Sequence, residues 1–538
     1  MLWNAVFVRR MNDFSQPHFS VRLFELLPLI GEIRGDLRLF LLASPLLDNL
    51  YPQRIPTSMA AATSLYTAST GLCADSVESA PGCRGFFALA TYQVDKLEQQ
   101  QAQAETSSAT VAHGEDDDDD DDSDRVASTS TSPAYTRRGT CSLYYAHKPS
   151  EESTGGVECA KVDTIETPAI LDMKWSLSKP DDGIRRILGV ANAKGQVTVH
   201  RLRSDSYKTS SKATLSPLGE LHFNDRNVLC LSLDFSDRKG GHAGGYDMSN
   251  LTADTAMIVS QSDGSLAYLP SLEAALSSTI TMVDDIATEI AQTSIHNRTD
   301  EGNEDDDDEW DRTSEDERLA SLQTAHSTLN SSYPSKPRGL VTWAAHDFEA
   351  WIAAFDCFNP TTVWSGGDDL TLKGWDLRSV SSTTPTTPTF ACTKPFNGGV
   401  TSLQSHHLRQ HLWAVGSYDS YLRLFDARMP ARPLSETNVG GGVWRVKWHP
   451  DDPRTLLVGC MHDGFKVLRL DDLAEEGAGG AELRGKEFDV VTRFDAHESL
   501  AYGCDWDRGE VDAEGAARRV YSCSFYDATL HIWDSQGA

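Results

Sequence analysis

The chain has 538 residues, 39% of them hydrophobic, enough to bury at least one large core. Its formal net charge of −31 argues against sequence-independent nucleic-acid binding, which depends on Lys and Arg neutralising phosphates. Ten scattered cysteines include no C-x-x-C pair, so neither a zinc site nor a thioredoxin-like site is signalled, and the economical reading is reduced thiols in the cytosol or nucleus.

Residues 1–58 contain a leucine-rich stretch from Leu26 to Leu50 that Glu32, Arg34, Asp36 and Arg38 interrupt. No run of about 18 uncharged apolar residues occurs, so no membrane span is expected, and the acidic residues weaken a mitochondrial-transit reading. Met59-Ala60-Ala61-Ala62 looks like a fresh start, so residues 1–58 are expected to be a disordered N-terminal extension or not translated. Strand-like segments then run from Asp75 to His147, broken by an insertion at 98–138 that carries the acidic run Glu115 to Asp122. Ala169 to Trp175 with Ile187 to Leu202, and Val228 to Phe235 with Ala256 to Leu269, form two further strand groups. A second insertion, 271–338, is centred on Asp305 to Glu309. Like charges this dense repel one another and stay solvated, so both insertions are expected to be disordered. They serve as plain loops or as electrostatic lures for a basic partner.

The clearest repeat begins after residue 340. His346 to Arg378 contains Gly366-Gly367-Asp368-Asp369-Leu370-Thr371-Leu372-Lys373-Gly374-Trp375-Asp376, and about fifty residues later comes Gly416-Ser417-Tyr418-Asp419-Ser420-Tyr421-Leu422-Arg423-Leu424-Phe425-Asp426. Gly440 to Leu470 is a weaker copy, and Phe525-Tyr526-Asp527-Ala528-Thr529-Leu530-His531-Ile532-Trp533-Asp534 closes the series. Each segment alternates apolar and polar residues at period two, as a half-buried strand does. Asp369, Asp419 and Asp527 are turn residues that fix the geometry of their repeats, with His346 and His497 upstream as their partners. These endings resemble WD repeats. A single four-stranded blade cannot bury its own faces, so blades must pack side by side into a ring. The expectation is an all-β WD40-type β-propeller over 59–538, with seven blades and residues 59–74 supplying the closing strand.

A propeller alone implies only a binding platform. More specific is the run Pro433 to Pro450, with Gly440-Gly441-Gly442 and Trp444-Arg445-Val446-Lys447-Trp448 inside it. It is followed by Gly459-Cys460-Met461-His462-Asp463-Gly464, by Ala496-His497-Glu498-Ser499-Leu500-Ala501-Tyr502-Gly503-Cys504-Asp505-Trp506, and by Cys523 to Asp527. In this order these segments resemble the WD-repeat diphthine methylesterase family, also known as the diphthine methyltransferase family. Ala169-Ile170-Leu171-Asp172-Met173-Lys174-Trp175 and Asp75-Ser76-Val77-Glu78 are similar to its early blades. The resemblance implies a carboxylic ester hydrolase of diphthamide biosynthesis, acting in the cytoplasm. Its substrate is elongation factor 2 bearing methylated diphthine, and other diphthamide-pathway enzymes are possible partners. It implies no cofactor, and neither nucleic acid nor membrane as a partner.

No G-x-S-x-G elbow and no H-E-x-x-H motif occurs, so hydrolysis must be assembled from different loops of the ring. His462, counted back from the end of its blade, stands where other blades carry the turn Asp; it is the candidate general base. The plain alternative is a turn hydrogen bond in a drifted blade. Gly441 and Gly442 offer amides for an ester oxyanion, against the common reading of glycine as a loop former. Trp444, Tyr418, Tyr502 and Tyr526 are candidate faces for the trimethylammonium group that the resemblance implies, although aromatics beside blade turns usually pack. Asp368, Asp463 and Glu498 are candidate contacts for that cation, and Arg445 for a carboxylate. Cys460 and Cys523 are by default small buried strand residues. No metal site is expected. A non-catalytic WD-repeat adaptor is the competing reading, favoured by the absence of a hydrolase signature. A chromatin or ubiquitin-ligase receptor propeller rests on fold alone.

Overall fold

The computed structural model describes residues 59–96, 135–147, 156–178, 185–205, 212–223, 228–237, 254–277, 336–474, 482–509 and 517–535. The extension 1–58 and most of both acidic insertions lie outside the described residues. Two stretches assigned to the insertions are ordered: residues 135–138 are strand and residues 272–277 are helical. The first insertion thus ends before residue 135, and the second begins after residue 277.

By its contacts the chain divides into two units. One takes in residues 1–52 and 93–138; its described part is a short antiparallel hairpin in which Gln93–Lys96 faces residues 135–138, with Gln93 opposite Arg138. The other, residues 53–92 and 139–538, holds the seven blades.

Within this second unit each blade is an antiparallel sheet whose first strand is innermost. The seven inner strands are Ala74–Ser79, Ile170–Ser178, Cys230–Phe235, Ile352–Phe355, Val400–Ser405, Arg445–Trp448 and Ala501–Trp506. Each touches the next, and the seventh touches the first, so the ring is closed. Closure uses the chain's early residues: Ser64–Ser69 pairs antiparallel with Thr529–Asp534 as the outer strand of blade 7. Ala60–Ala61 adds a parallel strand to blade 6.

The core sits between blades, as the repeat logic requires. Blades 4 and 5 meet through Trp364, Trp413 and Phe425, with the two indoles stacked at 4.5 Å and 5°. Fully burying side chains of this size is worth about 1.5–3 kcal/mol each. All ten cysteines are free thiols. Among the described residues no helix is long and apolar enough to cross a membrane.

Candidate functional site

One strand position recurs in every blade and builds the mouth of the ring. Gly366 lies opposite Ile352, Gly416 opposite Ser402, Gly459 opposite Arg445, and Cys523 opposite Gly503. The residue just before that first regular pair is Trp351, Thr401, Trp444 or Tyr502. In blades 1 to 3 the same position is held by Asp75, Leu171 and Leu231. In five blades this residue is a β-bulge, Asp75 and Tyr502 among them. A bulge turns its side chain away from the regular alternation. Across blades 4 to 7 the result is an aromatic cluster. Trp351 lies 6.0 Å from Trp444 and 6.2 Å from Tyr418, and Tyr418 lies 5.9 Å from Trp444. Trp444 stacks on Tyr502 at 4.8 Å, and Tyr502 continues to Phe525 and Tyr526. Trp351, Tyr418, Trp444 and Tyr502 are half-buried, and Tyr526 is exposed.

Carboxylates surround this cluster. Asp368 accepts a hydrogen bond from Trp351 Nε1 at 3.0 Å. Burial and the neighbouring Asp368 push the Glu349 carboxyl upward. Burial, followed by Tyr502, Asp368, Glu349 and Asp75, drives the Tyr418 phenol well above its ordinary value. Beneath lies an ion network that crosses the channel between blades 1, 2 and 6. Lys447 reaches Glu78 at 2.5 Å, Lys174 reaches Glu78 at 3.0 Å and Asp172 at 2.5 Å, and Arg445 lies 3.4 Å from Asp172 and 3.7 Å from Asp75. Asp75 is 5% exposed and accepts no hydrogen bond through Oδ2. Burial raises its pKa to about 7, with Asp172 raising it further and Arg445 and Lys174 opposing. Trp444 Nε1 is also buried without an acceptor.

His462 is three residues before Phe465, which pairs with Gly459, as Asp369 is before Leu372 and Asp419 before Leu422. The turn around it is rebuilt. Leu370, Ser420 and Ala528 take positive φ just after their Asp, whereas in blade 6 Met461 and Gly464 do so. Asp463 thereby takes over the usual ionic task. It binds Lys466 and Arg493 at 2.5 Å each, where Asp369 meets Lys373 and Asp419 meets Arg423. His462 is left exposed, with no hydrogen-bond partner among the described residues, and partial desolvation lowers its pKa. The expectation that Asp463 is open to a cationic substrate is therefore corrected, because both its oxygens are committed. Arg445 is corrected too: its guanidinium serves Asp75, Asp172 and the Leu171 carbonyl rather than an incoming carboxylate.

Gly441 and Gly442 are buried, and neither amide donates to any described residue. A Cβ on Gly441 would lie 2.1 Å from the Cys460 carbonyl oxygen, so glycine is needed for the turn to approach. Glu498 is exposed; its amide, not its carboxylate, bonds Asp527 at 2.9 Å.

Two constellations have the connectivity of a hydrolytic triad. Asp369 meets His346 Nδ1 at 2.9 Å, His346 Nε2 meets Ser365 at 2.7 Å, and Trp375 Nε1 donates to the same hydroxyl at 2.8 Å. In blade 7, His497 lies 3.7 Å from Asp527 and 2.9 Å from Ser522, to which Trp533 donates at 3.1 Å. Both serines are 0% exposed. Their repetition and burial make them blade fasteners.

No family profile matches the chain. Human diphthine methyltransferase is 31% identical over 444 residues, covering 82% of this chain and 74% of the human protein. The chain belongs to the diphthine methyltransferase family. Its mouse relative of the same name is 32% identical over 64% of this chain and 54% of its own length; the Schizosaccharomyces pombe relative is 25% identical over 70% and 81%. Membership gives the protein a role in diphthamide biosynthesis. A chain in the crystal structure of the mitotic checkpoint complex covers 74% of this chain and 84% of its own at 13% identity, with a TM-score of 0.40, too distant to bear on this diphthine methyltransferase relative. Sequence reasoning missed Trp351, Glu349 and Asp75. Asp75 stood inside a motif already singled out, and only its register against Ala90 and Thr91 shows that it shares the position of Trp444 and Tyr502.

Proposed function

We propose that the protein hydrolyses the methyl ester of methylated diphthine on elongation factor 2, releasing methanol and the free carboxylate, and that it acts in the cytoplasm. The observation that carries this reading is the acid-lined aromatic cluster of Trp351, Tyr418, Trp444 and Tyr502 beside the undonated amides of Gly441 and Gly442. Aromatic faces backed by carboxylates bind a trimethylammonium group. Paired amides stabilise the oxyanion that forms when water attacks an ester carbonyl. His462 is the proposed base: freed by Asp463 and held neutral by its lowered pKa, it takes the proton of the attacking water. Water oxygen bonds to the carbonyl carbon, the carbon–methoxy bond then breaks, and the proton held by His462 passes to the departing methoxide, giving methanol and restoring the neutral imidazole.

The test is mass spectrometry of elongation factor 2 carrying the methylated intermediate, incubated with the purified full chain. Loss of one methylene's mass supports hydrolysis, and a His462→Ala variant without activity supports the base. Gain of a methyl mass on adding S-adenosylmethionine would favour methyl transfer. No change in mass with folded protein, together with stable binding of elongation factor 2, would favour the adaptor reading.

A further inference from the structure

Beside the aromatic cluster lie two buried polar atoms of opposite sense that have no hydrogen-bond partner among the described residues. One is the Asp75 carboxyl, whose nearest cation is Arg445 at 3.7 Å and whose Oδ2 accepts no hydrogen bond. The other is the Trp444 indole N–H, which has no acceptor. The two are joined through one residue, because the Arg445 guanidinium also sits 5.8 Å over the Trp444 ring. Buried groups left unpaired are rare and call for an explanation. Charge at the site points the same way. Asp75 shares Arg445 with Asp172, and Lys174 is shared between Asp172 and Glu78.

We infer that Asp75 is the counter-ion of a quaternary ammonium ligand, which enters the aromatic cluster in exchange for a proton on this carboxyl, while Trp444 Nε1 donates to an oxygen on the same ligand. The inference rests on the proposed reading of the aromatic cluster and assigns one carboxylate and one hydrogen-bond donor to its ligand. Other groups face Asp75 from every packed element. They are Arg445 in blade 6, Asp172 and Lys174 in blade 2, Tyr502 and Cys523 in blade 7, and Tyr418 in blade 5. Lys174 and Arg445 are already shared with Glu78 and Asp172. An empty site therefore leaves Asp75 weakly paired, and burial raises its pKa to about 7. A cation above it restores the ionised form, and the displaced proton goes to solvent. One positive charge enters and one leaves.

The test uses choline and its neutral isostere 3,3-dimethylbutan-1-ol, titrated calorimetrically into the full chain at pH 7 in two buffers of different ionisation enthalpy. Choline should release a measurable fraction of a proton per molecule bound, since burial holds the Asp75 carboxyl partly protonated at that pH. The isostere should release none. Asp75→Asn should abolish release and weaken choline at least about fivefold, whereas Asp376→Asn, at a carboxylate outside the cluster paired with Arg378, should preserve release. Choline that fails to bind, or that binds native protein without releasing a proton, overturns the inference whether or not the variant folds. Proton-releasing choline binding by a protein that leaves the methylated intermediate unchanged would sink the esterase reading and keep this one.

Discussion

Replacing Ser365 by Ala tests the claim that the Asp369–His346–Ser365 array is a fastener and not a nucleophile. The hydroxyl is 0% exposed and meets two buried partners, His346 Nε2 at 2.7 Å and Trp375 Nε1 at 2.8 Å. Both are left unpaired in the variant. Each unsatisfied buried group costs about 1–3 kcal/mol, so the expected loss is about 2–6 kcal/mol for the pair. Urea unfolding reads this as a lower midpoint at unchanged slope. Ester cleavage, measured as mass loss from methylated elongation factor 2 under conditions where the variant stays folded, should match the native rate. Ser522→Ala in blade 7 is an internal comparison, because Ser522 holds His497 and Trp533 in the same way. A catalytic serine is needed once, whereas both serines should behave alike as fasteners. The reasoning fails if Ser365→Ala abolishes turnover while its unfolding midpoint stays native.

Gly441→Ala would bring a Cβ to 2.1 Å from the Cys460 carbonyl, which should cost about 1–3 kcal/mol by overpacking and displace the turn that carries His462. Gly442→Ala meets the flexible Met461 Sδ at 2.8 Å, with Tyr418 at an ordinary 3.4 Å, and should be milder; equal behaviour of the two in unfolding and activity assays would refute the packing account. Trp444→Ala removes the 4.8 Å stack on Tyr502 and should raise KM more than it lowers kcat, by about 0.5–2 kcal/mol of lost cation–π binding. Steady-state kinetics showing a native KM would count against the cluster as the cation site. His449 Nδ1 accepts the amides of Asp451 and Asp452 at 3.2 and 2.9 Å, and burial holds its pKa to about 3. Its folded value lies below the unfolded one, so its contribution is complete above the unfolded pKa of about 6.5 and is lost as pH falls from there. The loss at pH 5 is about 2 kcal/mol. An unfolding midpoint that rises between pH 7 and pH 5 would contradict this.

Blades 4, 5 and 7 are legible because their turn chemistry is local. An Asp two residues before a Thr or Tyr amide, with a Trp or Phe six residues on, lies within one hairpin; Asp369, Asp419 and Asp527 each accept that amide at 3.1 Å. His462 is legible for the same reason, since its place follows from counting within a strand. Its neighbour's fate is not, because Arg493, which claims Asp463, arrives from the next strand. The channel network is less legible still. Glu78 and Lys447 are separated by 369 positions, and no periodicity within either strand says that they meet across a ring. Arg445 reads from sequence as a free cation for the same reason.

The mouth of the ring shows how a repeat fold makes an asymmetric site. Seven blades present one equivalent position each, and its occupants differ around the circle: Leu171 and Leu231 on one side, Trp351, Trp444, Tyr502 and Asp75 on the other. Strand alternation sends the next residues elsewhere. Val446 and Trp448 enter the core of blade 6, while Arg445 and Lys447 cross the channel to blades 1 and 2. Trp444 is thus followed at once by two residues anchored on the opposite wall. A buried ionic tie of this kind contributes little net stability, yet removing one partner leaves a stranded charge. Its benefit lies in position: the strand bearing Trp444 cannot shift without breaking contacts to three acids at once. The aromatic side of the mouth is fixed through the channel beneath it, and Asp75, the most loosely paired acid in that channel, is the one that shares the mouth position.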